Sequence, residues 1–172
     1  MPFTPFHFGP GAALYALAPR QFSFIAFCSV NILIDVESLF NLINKRAQVH
    51  AFFHTYIGAT LVLIGTSTLF IILKWFASKY WLPNFFDWRG LSMKQVIVGA
   101  AVGVYSHVLL DSVMHSDIRP LAPVSSGNVL LSFISLGALH WLCIVSGLLG
   151  VVGVIVRKVI RHNQTTEQNQ SV

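Results

Sequence analysis

Long apolar stretches alternate with short polar ones along the chain, and this alternation predicts helices over residues 22–43, 48–78, 92–115 and 129–160. Each is long enough to cross a hydrocarbon core of about 30 Å. A shorter helix, from about residue 6 or 11 to residue 18, precedes them. At roughly 13 residues and about 20 Å it is expected to dip into a bilayer rather than span it comfortably. Pro5, Pro10 and Gly11 punctuate the start, Pro19-Arg20 turns the chain, and Asn44-Lys45-Arg46 forms a polar connection. Aromatic and basic residues mix around Pro83 in residues 79–89, as in an aromatic belt at a membrane interface. Residues 117–128 form a loop with Pro120, Pro123 and Gly127. The pattern predicts an all-α integral membrane bundle of four long helices plus a short N-terminal helix. It forms one domain over residues 1–161, with a polar, disordered tail over 162–172.

Composition supports the membrane class. The chain is 55% apolar and 10% charged, with mean hydropathy +0.69, where soluble domains carry about 25% charged residues. The formal charge of +5 does not imply a nucleic-acid partner, because the basic residues sit singly or in pairs between the apolar segments. They read as orientation signals. With helices alternating in direction, Arg20, Lys74, Lys79, Arg89, Lys94, Arg157, Lys158 and Arg161 fall at one end of the bundle and Lys45, Arg46 and Arg119 at the other. The richer end, with the C-terminus, is expected to be cytoplasmic. Cys28 and Cys143 lie inside apolar segments and are expected to be buried thiols. Residues 1–7 carry no basic cluster, so a cleaved signal peptide is not expected.

The chemistry collects at the opposite end. On a helix, His107, Asp111 and His115 stand at i, i+4 and i+8, on one stripe of a strongly apolar segment. His7 begins the first helix, Asp35 and Glu37 close the second, and His50 and His54 open the third. Five of the seven histidines and three of the six acidic residues thus gather at one end. Asp87, His162 and Glu167 fall elsewhere, Asp117 lies just past the cluster, and His140 reads as a packed core histidine. A carboxylate four residues from an imidazole inside an apolar helix needs a partner. Imidazole and carboxylate together suit a divalent metal, and zinc, manganese and iron all fit these donors. The expected ligands are His50, His54, His107, Asp111 and Asp35, supported by His7 and His115. Asp35 and Glu37 stand about 200° apart on a helix, which leaves Glu37 as the candidate general base. Eight groups exceed the four of one tetrahedral ion, so either more than one ion binds or some groups orient the others.

Pro5-Phe6-His7, Ile34-Asp35-Val36-Glu37, His50-Ala51-Phe52-Phe53-His54-Thr55, Ser106-His107-Val108-Leu109-Leu110-Asp111 and Ile118-Arg119-Pro120-Leu121-Ala122-Pro123 resemble the inner-membrane metal-dependent hydrolase family. That family is distantly similar to the zinc-dependent phospholipase C and nuclease P1 group, helical enzymes that hydrolyse phosphodiesters with clustered zinc ions. The resemblance implies a bacterial inner-membrane hydrolase of phosphate esters, with zinc as the favoured metal. A site at the outer rim of the bundle suits a lipid head group or a lipid-linked phosphate as substrate, with membrane lipids as surroundings and no nucleic acid. Two other readings use the same groups: a carrier or sensor of metal ions or protons, and a catalytically silent scaffold held by His–Asp pairs.

Overall fold

Ser23, Thr55 and Ser92 mark where three of the long helices start. Each hydroxyl accepts from a backbone amide three residues on: Ala26 at 3.2 Å, Gly58 at 3.0 Å and Gln95 at 3.2 Å. A helix start leaves these donors without partners, so the caps fix the boundaries. The Gln95 side chain returns to the Ser92 amide at 2.8 Å and completes a capping box.

The computed structural model describes residues 4–170. The fold is all-α, with α1 at Thr4–Leu17, α2 at Phe24–Ile43, α3 at Tyr56–Lys79, α4 at Met93–Met114 and α5 at Leu136–Gln170. Two 3-10 turns, Phe52–His54 and Phe85–Gly90, precede α3 and α4. Four of these helices, α2 to α5, are long and apolar enough to cross a membrane.

The helices pack in pairs: α1 lies chiefly along α5, while α2 and α3 both lie along α4. Gly9 of α1 meets the backbone of Cys143, Ala12 meets Gly150 and Ala16 meets Gly153, so α1 and α5 run parallel. Val30, Ile34, Ala59, Val62, Val96, Ala100, Val104 and Val108 form the common core. Lipid is as apolar as such a core, so close contact at small residues, more than burial, holds membrane helices together. Gly99 lets α4 lie against the start of α2: a β-carbon there would sit 2.3 Å from the carbonyl oxygen of Ser23, the residue that caps α2. The outer helices turn most of their surface outward. Only 11% of the apolar window of α3 is buried.

Three boundaries differ from the sequence expectation, each for a local reason. The third helix begins at Tyr56 rather than near residue 48, because Thr55 is extended and caps it. Residues 44–55 are therefore turns and one 3-10 segment. The fifth helix begins at Leu136 rather than residue 129, where Ser135 accepts from the Ala138 amide at 3.3 Å. At the other end, residues 162–170, expected to be a disordered tail, continue α5. Thr165 and Thr166 donate to the carbonyls of Arg161 and His162, both at 3.0 Å. The last two positions of that tail and residues 1–3, part of the stretch judged not to be a signal peptide, lie outside the described residues.

The close approach at Gly99 gives a direct test of the packing. Gly99→Val is expected to lower stability by about 1–3 kcal/mol. Gly65→Ala, with nothing within 4 Å of its new methyl group, should raise it by up to about 1 kcal/mol. Denaturant unfolding in detergent micelles measures both. A Gly99→Val protein as stable as the parent would contradict the α2–α4 contact.

Candidate metal centre

Asp111 sits near the end of α4 with no exposed surface, and three imidazoles from three different elements point at its carboxylate. His7 Nε2 lies 3.1 Å from Oδ1, while His107 Nε2 and His54 Nε2 lie 3.2 and 3.4 Å from Oδ2. Asp35 of α2 brings a second carboxylate, its Oδ1 at 3.3 Å from His107 Nε2 and 3.7 Å from His54 Nε2. Asp35, His54, His107 and Asp111 each offer a ligand atom within 4.8 Å of all the others. His50, Asp111 and His115 form a second such group. Asp111 belongs to both.

The spacing fits a bound cation. Ligand atoms about 2.0–2.1 Å from a tetrahedral zinc ion stand about 3.3 Å apart along each edge. Three of the four imidazole–carboxylate separations in the first group fall within 0.1 Å of that edge. Hydrogen bonding also points to a cation. Asn31 Nδ2 donates to the Phe27 carbonyl at 2.7 Å, so its Oδ1 faces the His107 ring at 2.9 Å. His107 Nδ1–H donates there, so Nε2 is the ring nitrogen turned to the two carboxylates. A positive charge balances the carboxylates at that point, carried either by a second ring proton or by a bound cation.

His50 is oriented in the same way. Asp117 Oδ2 accepts from the amides of Val49 at 3.2 Å and His50 at 3.0 Å. His50 Nδ1–H donates to the same carboxylate at 2.9 Å. The other ring nitrogen, Nε2, is thereby presented to the cluster, where it is buried without a hydrogen-bond partner. Both oxygens of Asp111 and Nε2 of His7, His54, His107 and His115 share that condition. Burial, followed by the charge of neighbouring His54, lowers the His50 pKa, and burial followed by His50 lowers that of His115. Both shifts favour the neutral imidazole that a metal binds. His54 goes the other way: burial acts to lower its pKa, but the Asp111 and Asp35 carboxylates outweigh that and raise it. The His50 and His115 rings stack with centroids 4.3 Å apart.

All seven residues expected as ligands therefore meet at one end of the bundle: His7, Asp35, His50, His54, His107, Asp111 and His115. His50 and His54 do so from a turn and a 3-10 segment, not from one helical face. Glu37, expected as the general base, is engaged elsewhere. Its two oxygens accept from the amides of Phe52 at 3.1 Å and Phe53 at 2.7 Å. Its helical offset from Asp35 turns it toward the 3-10 turn, and there it holds the segment that carries His54. Asp117 and Asn31 are the members that sequence spacing did not assign. His140 packs on Phe6, with ring centroids 4.8 Å apart.

No protein-family model, curated protein or solved structure matches this chain. The centre is thus characterised by its own geometry: a buried His/Asp group that could hold a metal ion.

Asp117 separates orientation of a ligand from ligation. Asp117→Asn is expected to weaken metal affinity about 10–100-fold, read by competition with a fluorescent chelator. Burial acts to raise the Asp117 pKa, but hydrogen bonds from the His50 amide and ring outweigh it and hold the carboxyl below its ordinary value of 3.8. A depressed carboxyl stabilises the fold above that value and loses its contribution as pH falls through the folded pKa. The stability gap between wild type and Asp117→Asn in the metal-free protein should therefore close as pH drops below about 4. A gap that widens there would contradict the assignment.

Proposed function

We propose that the protein is a membrane-embedded metal-dependent hydrolase acting on a phosphate ester of a lipid or lipid-linked substrate. The observation that carries this reading is the double membership of Asp111, one buried carboxylate shared by two groups of ligand-bearing side chains. Two ions held by these groups would suit phosphoryl chemistry, because both the attacking and the leaving oxygen need stabilisation. The sequence resemblance to inner-membrane hydrolases supports the same class. Zinc, the metal of the enzyme group that the sequence resembles, is compatible with the mixed nitrogen and oxygen donors.

A divalent ion held there would polarise a phosphoryl oxygen and make water more acidic. The chain's own residues do the rest. Asn31 and Asp117 fix the tautomers of His107 and His50. Glu37 keeps the 3-10 turn closed, so that His54 keeps its place. Asp35 and His115 are the two cluster members with some exposed surface, so a substrate reaches the centre past one or both. Residues 116–135 lie at this end of the bundle and expose Val124, Val129 and Phe133. Exposed apolar side chains at that end favour a substrate with an apolar tail over a free phosphate ester. The excess of basic residues at the other end supports an inner-membrane orientation with the centre on the outer face.

The carrier reading needs groups that pass an ion onward. Between the centre and the far end, the packed core offers Ala59, Val62, Val96, Ala100 and Val104. These side chains cannot replace a hydration shell, and hydrolysis is therefore the better reading.

The protein purified in detergent without chelator should carry about one or two equivalents of zinc. Asp111→Asn should lose the metal and lower phosphate release from a lipid phosphate monoester by about 100-fold or more. Less than about a tenth of an equivalent of any transition metal in the wild type would exclude a stably held ion. Metal uptake into proteoliposomes without phosphate release would favour the carrier instead.

A further inference from the structure

At the end of the bundle opposite the His/Asp centre, α1 stops and α5 runs on, and a cavity of about 240 Å³ opens between them. Tyr15, Pro19, Val154, Arg157, Lys158 and Arg161 line it. Arg157 and Arg161 are four residues apart on α5 and so share a face, with Lys158 beside them. Like charges so placed repel, and none of the ion pairs among the described residues involves any of the three. Arg157 Nη1 donates to the Ala16 carbonyl at 2.6 Å, which binds it to the C-terminus of α1. Lys158 and Arg161 are exposed.

A second cavity, of about 560 Å³, follows the same α1–α5 seam toward the membrane interior. Its walls are apolar, including Phe8, Phe24, Leu148, Val151 and Val152. Val151 and Val152 line this groove and Val154, half a turn on, lines the basic cavity. A cationic pocket and an apolar groove on one helix seam match a molecule with an anionic head and a hydrocarbon tail. Orientation signals alone require only charge at this end, and neither a cavity nor a groove continuing from it.

We propose that the seam holds an anionic phospholipid, its phosphate among Arg157, Lys158 and Arg161 and an acyl chain along the α1–α5 groove. The shared chemistry is a phosphate anion, and the groove assigns it to a lipid rather than to free phosphate. Basic pockets between membrane helices bind lipid head groups in this way. The site is separate from the His/Asp centre and does not depend on hydrolysis there.

Native mass spectrometry of the full chain, exchanged into micelles with phosphatidylglycerol or phosphatidylcholine, tests it. Phosphatidylglycerol should be retained selectively. In the double variant Lys158→Gln/Arg161→Gln its affinity should fall about tenfold or more, with helicity unchanged by circular dichroism. Arg89→Gln/Lys94→Gln removes two positive charges from the same end outside the pocket and should retain the lipid as the wild type does. Equal loss in both double variants would reduce the effect to general surface charge and overturn the site. Equal retention of the two lipids would also overturn it. Binding of inorganic phosphate as tightly as the lipid would overturn the lipid assignment, because the groove would then contribute nothing.

Discussion

A carboxylate held without exposed surface inside an apolar bundle is the constraint around which the rest is arranged. Removing such a charge from water costs several kcal/mol even after relaxation. A neutral imidazole offers its lone pair, not a positive charge, so His7, His54 and His107 around Asp111 do not by themselves offset that cost. The balancing positive charge is either a ring proton or a cation shared among side chains, and Asp35, His54, His107 and Asp111 stand close enough together for the second. Four elements converge on that point: the first turn of α1, the C-terminal half of α2, the 3-10 turn before α3 and the last turns of α4. A cation held there would tie these four elements together.

The irregular segment between α2 and α3 shows how ligands are held without a helix. Residues 44–55 bring His50 and His54 to the cluster, and their backbone is tied down by side chains from elsewhere. Glu37 takes the amides of Phe52 and Phe53, Asp117 takes those of Val49 and His50, and Asn41 donates to the Val49 carbonyl at 3.0 Å. The Tyr56 amide donates to the Pro120 carbonyl at 2.9 Å, which ties the later loop to the start of α3. Two loops distant in sequence thus brace one another, and each carries part of the centre.

This bracing explains what could be read in advance. The four long helices were legible because apolar runs of that length have few alternatives. His107 and Asp111 were legible because a four-residue spacing on a helix fixes a shared face. His50 and His54 carry the same spacing but do not lie on one helix: Thr55 starts α3 after them, and it is the fold that brings them together. Asp117 had no signal to offer, since its partner His50 is 67 residues away and the contact depends on two loops meeting. Glu37 was expected beside Asp35 in function. Their offset on α2 instead separates them, one facing the centre and the other the backbone that supports it. Residues 162–170 were expected to be disordered because they are polar, yet polarity does not prevent a helix from continuing, and α5 runs on through them.

The short helix α1 joins the two ends of the molecule. It reaches the centre through His7 and the basic end through the Ala16 carbonyl, where Arg157 is bound. Between these points Gly9 lets it lie against the α5 backbone, where a β-carbon would come 1.9 Å from the Cys143 oxygen. A helix of 14 residues with Pro10 inside it has little stability of its own. Its position must come from its contacts, and those along α5 predominate. The guanidinium at its C-terminus also meets the negative end of the helix dipole, which favours that placement. The axial position of His7 beside Asp111 is therefore set partly by a cation at the far end of the bundle. The basic residues at one end of the bundle thus also help to fix the position of His7 at the other.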